Sequence, residues 1–108
     1  MNPNQLYLAA VTLGEIQAGI EKVRDQDPVK AAEIEAWVDG INEAWNILPM
    51  TDKIFREWAK IMHRRSDDLY EDAMIAATAR VHGLVVATRD KKHFRDFGVS
   101  LIDPFTHR

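Results

Sequence analysis

The chain has 108 residues, of which 46% are hydrophobic and 29% charged, and a net charge of −3; this is the size and balance of one globular domain, spanning 1–108. It contains no cysteine, which excludes disulfides, thiolate zinc sites and a cysteine nucleophile. The acidic balance argues against a generic nucleic-acid coat but allows an enzyme with a local basic rim, and the absence of any apolar run near membrane length predicts a cytoplasmic protein without a signal peptide.

In chain order, Leu6 to Ala9 reads as a short strand. Thr12 follows with Glu15 three residues on, a capping-box pattern that predicts a helix start. Leu13, Ile16, Ile20 and Val23 recur at helical spacing and predict one buried stripe. Asp25 to Pro28 is a break. A second helix is predicted from about Val29 to Trp45, with Ile34, Trp37, Val38, Ile41 and Trp45 inward. Ile47 to Met50 is a brief extended segment. Thr51 or Asp52 caps a third helix with Ile54, Trp58, Ile61 and Met62 inward. Asp68 with Glu71 forms a second capping-box pattern, opening a helix that carries Asp72 through small residues to Gly83. A strand from Leu84 leads to Asp90, a polar helical turn covers Lys91 to Phe97, and Val99 to Ile102 is a last strand ended by Pro104.

Strands alternating with helices predict an α/β fold, a mainly parallel short sheet with helices on both faces. In such sheets helix starts and strand ends share one edge, where ligands bind. Glu15, Asp72 and Asp90 all fall at such positions and can converge. Several hard oxygen ligands without His or Cys suit Mg²⁺ or Mn²⁺ and not zinc; such ions assist phosphoryl chemistry. Each acid also has a structural reading. Glu15 can be the acceptor of a capping box, Asp72 can complement a helix dipole, and Asp90 can cap the turn after it. Thr88 can hold a carboxylate or a water, and Arg89 can meet a phosphate bidentately. Arg64, Arg65, Lys91 and Lys92 form either a basic rim or a solvated face. The four histidines are poor ligand candidates; only His93 lies near the expected site.

Three stretches carry a family resemblance: LYLAAVTLGEIQAGI (Leu6–Ile20), EDAMIAATARVHGLVVATRDKKHF (Glu71–Phe94) and GVSLIDPF (Gly98–Phe105). In order and spacing they resemble the PIN-domain family, and within it the VapC-type toxins of bacterial toxin–antitoxin pairs. The resemblance implies a PIN-like three-layer fold and a Mg²⁺- or Mn²⁺-dependent endoribonuclease. By that likeness Glu15, Asp72 and Asp90 match the family's second, third and fourth acids, and Thr88 matches a hydroxyl beside the last. Some relatives place a further acid where this chain has His93.

The chain departs from the family at its start. Relatives begin with a hydrophobic strand ending in an aspartate, a principal metal ligand, whereas the first aspartate here is Asp25, in a helix-connecting turn. The sequence therefore resembles a PIN domain that is incomplete at the N-terminus, lacking the first strand and first acid, with reduced or absent activity. The resemblance also implies a small antitoxin partner, an RNA substrate and a homodimer. Open strand edges favour the same homodimer or a higher oligomer. The alternative is a non-catalytic PIN-like protein that dimerises and binds an antitoxin.

Overall fold

The computed structural model of the protein describes residues 6–88 and 91–103. The chain divides into two units, residues 1–49 and residues 50–108.

In the first unit, strand β1 (Tyr7–Ala9) runs directly into helix α1 (Ala10–Arg24). The N-cap is Ala9, in extended backbone and without a side-chain cap. The helix thus begins two residues before Thr12, and the expected Thr12–Glu15 capping box does not define its start. Helix α2 (Pro28–Ala44) follows a short break. The Asp27 side chain caps it, accepting from the Lys30 N–H at 3.0 Å, and Pro28 takes a first-turn position where a missing N–H costs nothing.

The two helices enclose a small core of Ile20, Ala31 and Val38, with Leu13, Ile16, Val23 and Ile34 packed around it. This is the stripe expected of α1. Trp37 departs from expectation: it is 67% exposed. Its neighbour Val38 takes the inward position, and successive helical residues are turned by about 100°, which swings the indole outward. Strand β2 (Asn46–Leu48) pairs parallel with β1, Tyr7 opposite Asn46, and the Asn46 amide donates to the Leu6 carbonyl at 3.0 Å.

In the second unit, Thr51 caps helix α3 (Asp52–Met62), its hydroxyl accepting from the Ile54 N–H at 3.2 Å. Ile54 and Ile61 are buried, while Trp58 is half-buried and donates its indole N–H to the Tyr70 carbonyl at 3.1 Å. A 3₁₀ turn, Asp67–Leu69, leads into helix α4 (Tyr70–His82). Asp68 therefore sits inside that turn, and α4 has Leu69 at its N-cap with no side-chain cap. The second expected capping box is also not formed, because a tight turn already engages the Leu69 N–H with the Ser66 carbonyl at 3.1 Å.

Ala73, Ala76 and Ala77 of α4 are fully buried; small side chains let the helix seat closely in the core that α3 completes. Gly83 ends α4 with φ +66°. The Gly83 N–H donates to the Arg80 carbonyl at 3.3 Å and the Leu84 N–H to Ala79 at 2.8 Å, the Schellman pattern. Strand β3 (Val86–Ala87) pairs parallel with β4 (Leu101–Ile102). Between them lies the short helix α5 (Lys91–Phe94). It is anchored by buried Phe94 and Phe97, whose rings meet edge-to-face at 5.9 Å.

The described strands thus form two two-stranded parallel pairs, each in its own unit. The result is the helix-rich α/β fold with short parallel sheets that the pattern of elements predicts. No helix of the described residues is long and apolar enough to cross a membrane.

Candidate active site

Asp72 is the third residue of α4, in the first turn, where the helix dipole favours a negative charge. Buried Ala73 and Ala76 sit beside it, and its side chain keeps 29% exposure. That is enough for solvent or an ion to reach the carboxylate while its backbone stays fixed by packing. Its Oδ2 lies 3.3 Å from Nδ1 of His93 on α5. The pair joins residues twenty-one positions apart because α4 and α5 pack against each other.

Thr88 closes strand β3: its N–H donates to the Ile102 carbonyl at 2.9 Å. Asp90 and Arg89 lie outside the described residues. Glu15 is exposed in the second turn of α1 and belongs to residues 1–49. Because Thr12 does not cap α1, the structural reading of Glu15 as a capping-box acceptor loses its support.

The four basic candidates differ. Lys91 and Lys92 are exposed on α5. Arg64 is exposed just after α3, in left-handed backbone with φ 67°. Arg65 is engaged by the fold: its Nε donates to the Ile61 carbonyl at 2.6 Å and its Nη2 to the Asp96 carbonyl at 2.9 Å. Its guanidinium also lies 5.1 Å from the centre of the Phe97 ring.

Among the described residues no group of three or more His, Asp or Glu converges as a metal site. Asp72 and His93 do offer one hard oxygen and one borderline nitrogen, partly exposed and 3.3 Å apart. That donor chemistry fits a divalent ion of the Mg²⁺ to Mn²⁺ type and offers no thiolate. His93, the one histidine expected near the site, meets Asp72 there. A separate open cleft of about 630 Å³ lies along α3 and the C-terminal end of α4. Lys53, Arg56, Glu57 and Arg80 line it, and Asp72 does not.

The sequence matches the PIN domain over residues 1–99. A VapC ribonuclease of Sinorhizobium fredii is 30% identical over 111 residues, covering 93% of this chain and 75% of the relative. Ribonuclease VapC1 of Rickettsia felis is 27% identical over 99 residues, covering 84% of this chain and 69% of the relative. Among solved structures, FitAcB from Neisseria gonorrhoeae superposes with a TM-score of 0.85 at 26% identity, covering 99% of this chain and 81% of that one.

Proposed function

Because this chain belongs to the PIN-domain family, we propose that it is a VapC-like endoribonuclease toxin that hydrolyses RNA phosphodiester bonds. The observation that carries this reading is Asp72: an acid that the family resemblance assigns to the site, held on a packed helix start with its side chain 29% exposed. Glu15 and Asp90 are the other acids that the family resemblance assigns to the same ion.

Mg²⁺ or Mn²⁺, when bound, supplies charge neutralisation at the phosphate and a more acidic water. The chain's own residues do the rest. Asp72 orients the site from a rigid helix, and one of the acids takes a proton from the attacking water as general base. The water oxygen would bond to phosphorus while the bond to the leaving sugar oxygen breaks, and that oxygen would take a proton from solvent water. The Thr88 hydroxyl holds a carboxylate in place, and Arg89 meets a phosphate. Lys91, Lys92 and Arg64 attract the RNA backbone, with Arg65 the least available because its guanidinium already serves the fold. The protein works in the cytoplasm, forms a homodimer, and is neutralised by a small antitoxin.

The test is cleavage of RNA by the purified chain with Mn²⁺, with Mg²⁺ and with a chelator, beside Asp72→Asn. Metal-dependent cleavage lost in the variant supports the reading. Antitoxin binding without any cleavage, even when the family's first strand and aspartate are supplied, would favour the non-catalytic alternative.

A further inference from the structure

Helix α3 carries a row of cations away from Asp72. Lys53, Arg56 and Lys60 follow one another at steps of three and four residues. They therefore lie within about 60° of each other around the helix, over about 10 Å of its length. Ile54 and Ile61, each directly after a lysine of that row, are buried. A helical step of about 100° sets the cations at the rim of this packed face. Arg80, in the last turn of α4, reaches the same face through Glu57. These four cations, with the carboxylates of Asp52 and Glu57, line the cleft of about 630 Å³ along α3 and the C-terminal end of α4.

The charges in the cleft do not cancel. Glu57 is engaged by Arg80 at 2.9 Å and by Lys60 at 3.9 Å, and Arg80 also donates to the Phe97 carbonyl at 3.3 Å. Among the described residues, the side chains of Lys53 and Arg56 make no hydrogen bond or ion pair, and both residues are exposed. The cleft is thus positive on a chain whose net charge is −3. A concave surface of one sign concentrates ligands of the other.

The lining decides which anion fits. Among the described residues Val81 is its only apolar member. Small-molecule pockets are lined mostly by apolar and aromatic side chains, and the core of a protein–protein interface is depleted of charge. Nucleic-acid interfaces are polar and positively charged, and a phosphodiester backbone repeats its charge along a line, as the row on α3 does. Resting on the ribonuclease reading above for the identity of the polyanion, we propose that this cleft is a second RNA contact, which grips the phosphate backbone without reading its sequence. Lys53 and Arg56 make the principal contacts, Lys60 joins them, and Arg80 keeps the Glu57 carboxylate occupied. Asp72 and Arg80 are eight residues apart on α4, about 12 Å along the helix axis. The cleft therefore positions RNA away from the reacting phosphate and adds to affinity.

The experiment measures binding by the full chain with a chelator present. A labelled single-stranded RNA is titrated at about 50 and about 200 mM salt. The proteins are the wild type, Lys53→Gln with Arg56→Gln, and, as a control for net charge, Lys22→Gln with Lys30→Gln. All four residues are exposed, so both variants should fold. Each phosphate contact on a single strand adds about 0.7 to the salt slope. Over that range the wild type should lose about sevenfold more affinity than the cleft variant does, while the control follows the wild type. Equal behaviour of the two variants overturns the proposal. Competition by polyglutamate as effective as that by RNA of equal charge would make the cleft a site for acidic peptides and sink the RNA assignment. If RNA is cleaved with Mn²⁺ but binding is indifferent to Lys53 and Arg56, this inference alone is wrong. If cleft-dependent binding is present and no metal brings cleavage, the nuclease reading alone is wrong. If the wild type binds no RNA, both fall.

Discussion

The guanidinium of Arg80 lies against Gly98: a Cβ placed on that glycine would stand 3.3 Å from Arg80 Nη1. Arg80 is held there by a hydrogen bond to the Phe97 carbonyl at 3.3 Å and an ion pair with Glu57 at 2.9 Å. Gly98 also has φ +70°, in the left-handed region. Gly83 shares that conformation, but a Cβ there would meet nothing within 4 Å. Gly83→Ala is therefore expected to cost only the conformational penalty, about 1 kcal/mol. Gly98→Ala is expected to cost more, about 2 kcal/mol, because Arg80 must also move. Urea denaturation of both variants, and of Gly98→Ala in an Arg80→Ala background, checks this; the excess cost should vanish when Arg80 is gone.

Arg65 and the lysines of α5 are expected to separate cleanly by assay. Arg65 ties the end of α3 to the turn after α5 through two carbonyls and a ring. Arg65→Lys cannot reproduce that fork, so stability should fall by about 1–3 kcal/mol with RNA affinity nearly unchanged. Lys91→Ala and Lys92→Ala should leave stability within about 0.5 kcal/mol. Each should instead weaken RNA binding and reduce the salt dependence by about one counterion. Thermal melts and salt-titrated RNA binding read the two effects independently.

Asp72→Asn keeps the shape of a half-exposed side chain and removes its charge. The fold should survive, and RNA cleavage should drop about a hundredfold or more, because an ion displaced by about 1 Å already costs that much. Circular dichroism and single-turnover cleavage decide it. Unchanged cleavage in a folded variant would remove Asp72 from the site.

Acid should loosen the pairing of α1 with α2. Gln17 donates to Glu21 at 2.7 Å and to Glu35 at 2.8 Å, while Arg24 bonds to Glu21 and Glu35, each at 3.0 Å. Arg24 and then Gln17 hold the Glu21 carboxyl below its ordinary value of 4.5; Gln17 and then Arg24 do the same for Glu35. A lowered folded-state value means stability that is present above the unfolded value and lost as pH falls through the folded one. Both groups are at the surface, so the effect is small and screened by salt. Melting temperature should decline below about pH 4.5 in the wild type, and more shallowly in Glu35→Gln, with the difference shrinking at high salt.

Much of this was legible where one local rule acts alone. The stop of α4 at Gly83, the Thr51 cap and the inward stripe from Leu13 to Val23 are each fixed by neighbouring residues. The two capping boxes were not legible because a better local competitor wins. At α1 the strand feeds the helix without a gap, and at α4 a 3₁₀ turn takes the Leu69 N–H first. Trp37 follows helical spacing, yet the small core of that unit is filled by Ile20, Ala31 and Val38. The meeting of Asp72 with His93 depends on how α5 docks onto α4, which spacing along the chain does not encode. The fold class, by contrast, needs only the alternation of elements.

The two strand pairs differ in how much chain must be closed to make them. Joining β1 to β2 brings together groups 40 residues apart in sequence, whereas β3 and β4 are separated by only about 15. The longer closure costs about 0.8 kcal/mol more in chain entropy, and non-local pairing slows folding. β3 should therefore find β4 early, while β1 waits for the α1–α2 hairpin to fold behind it. The acid on α4 is then housed by the faster-closing part of the chain, and pulse-labelled hydrogen exchange should protect the Val86 amide before those of β1 and β2.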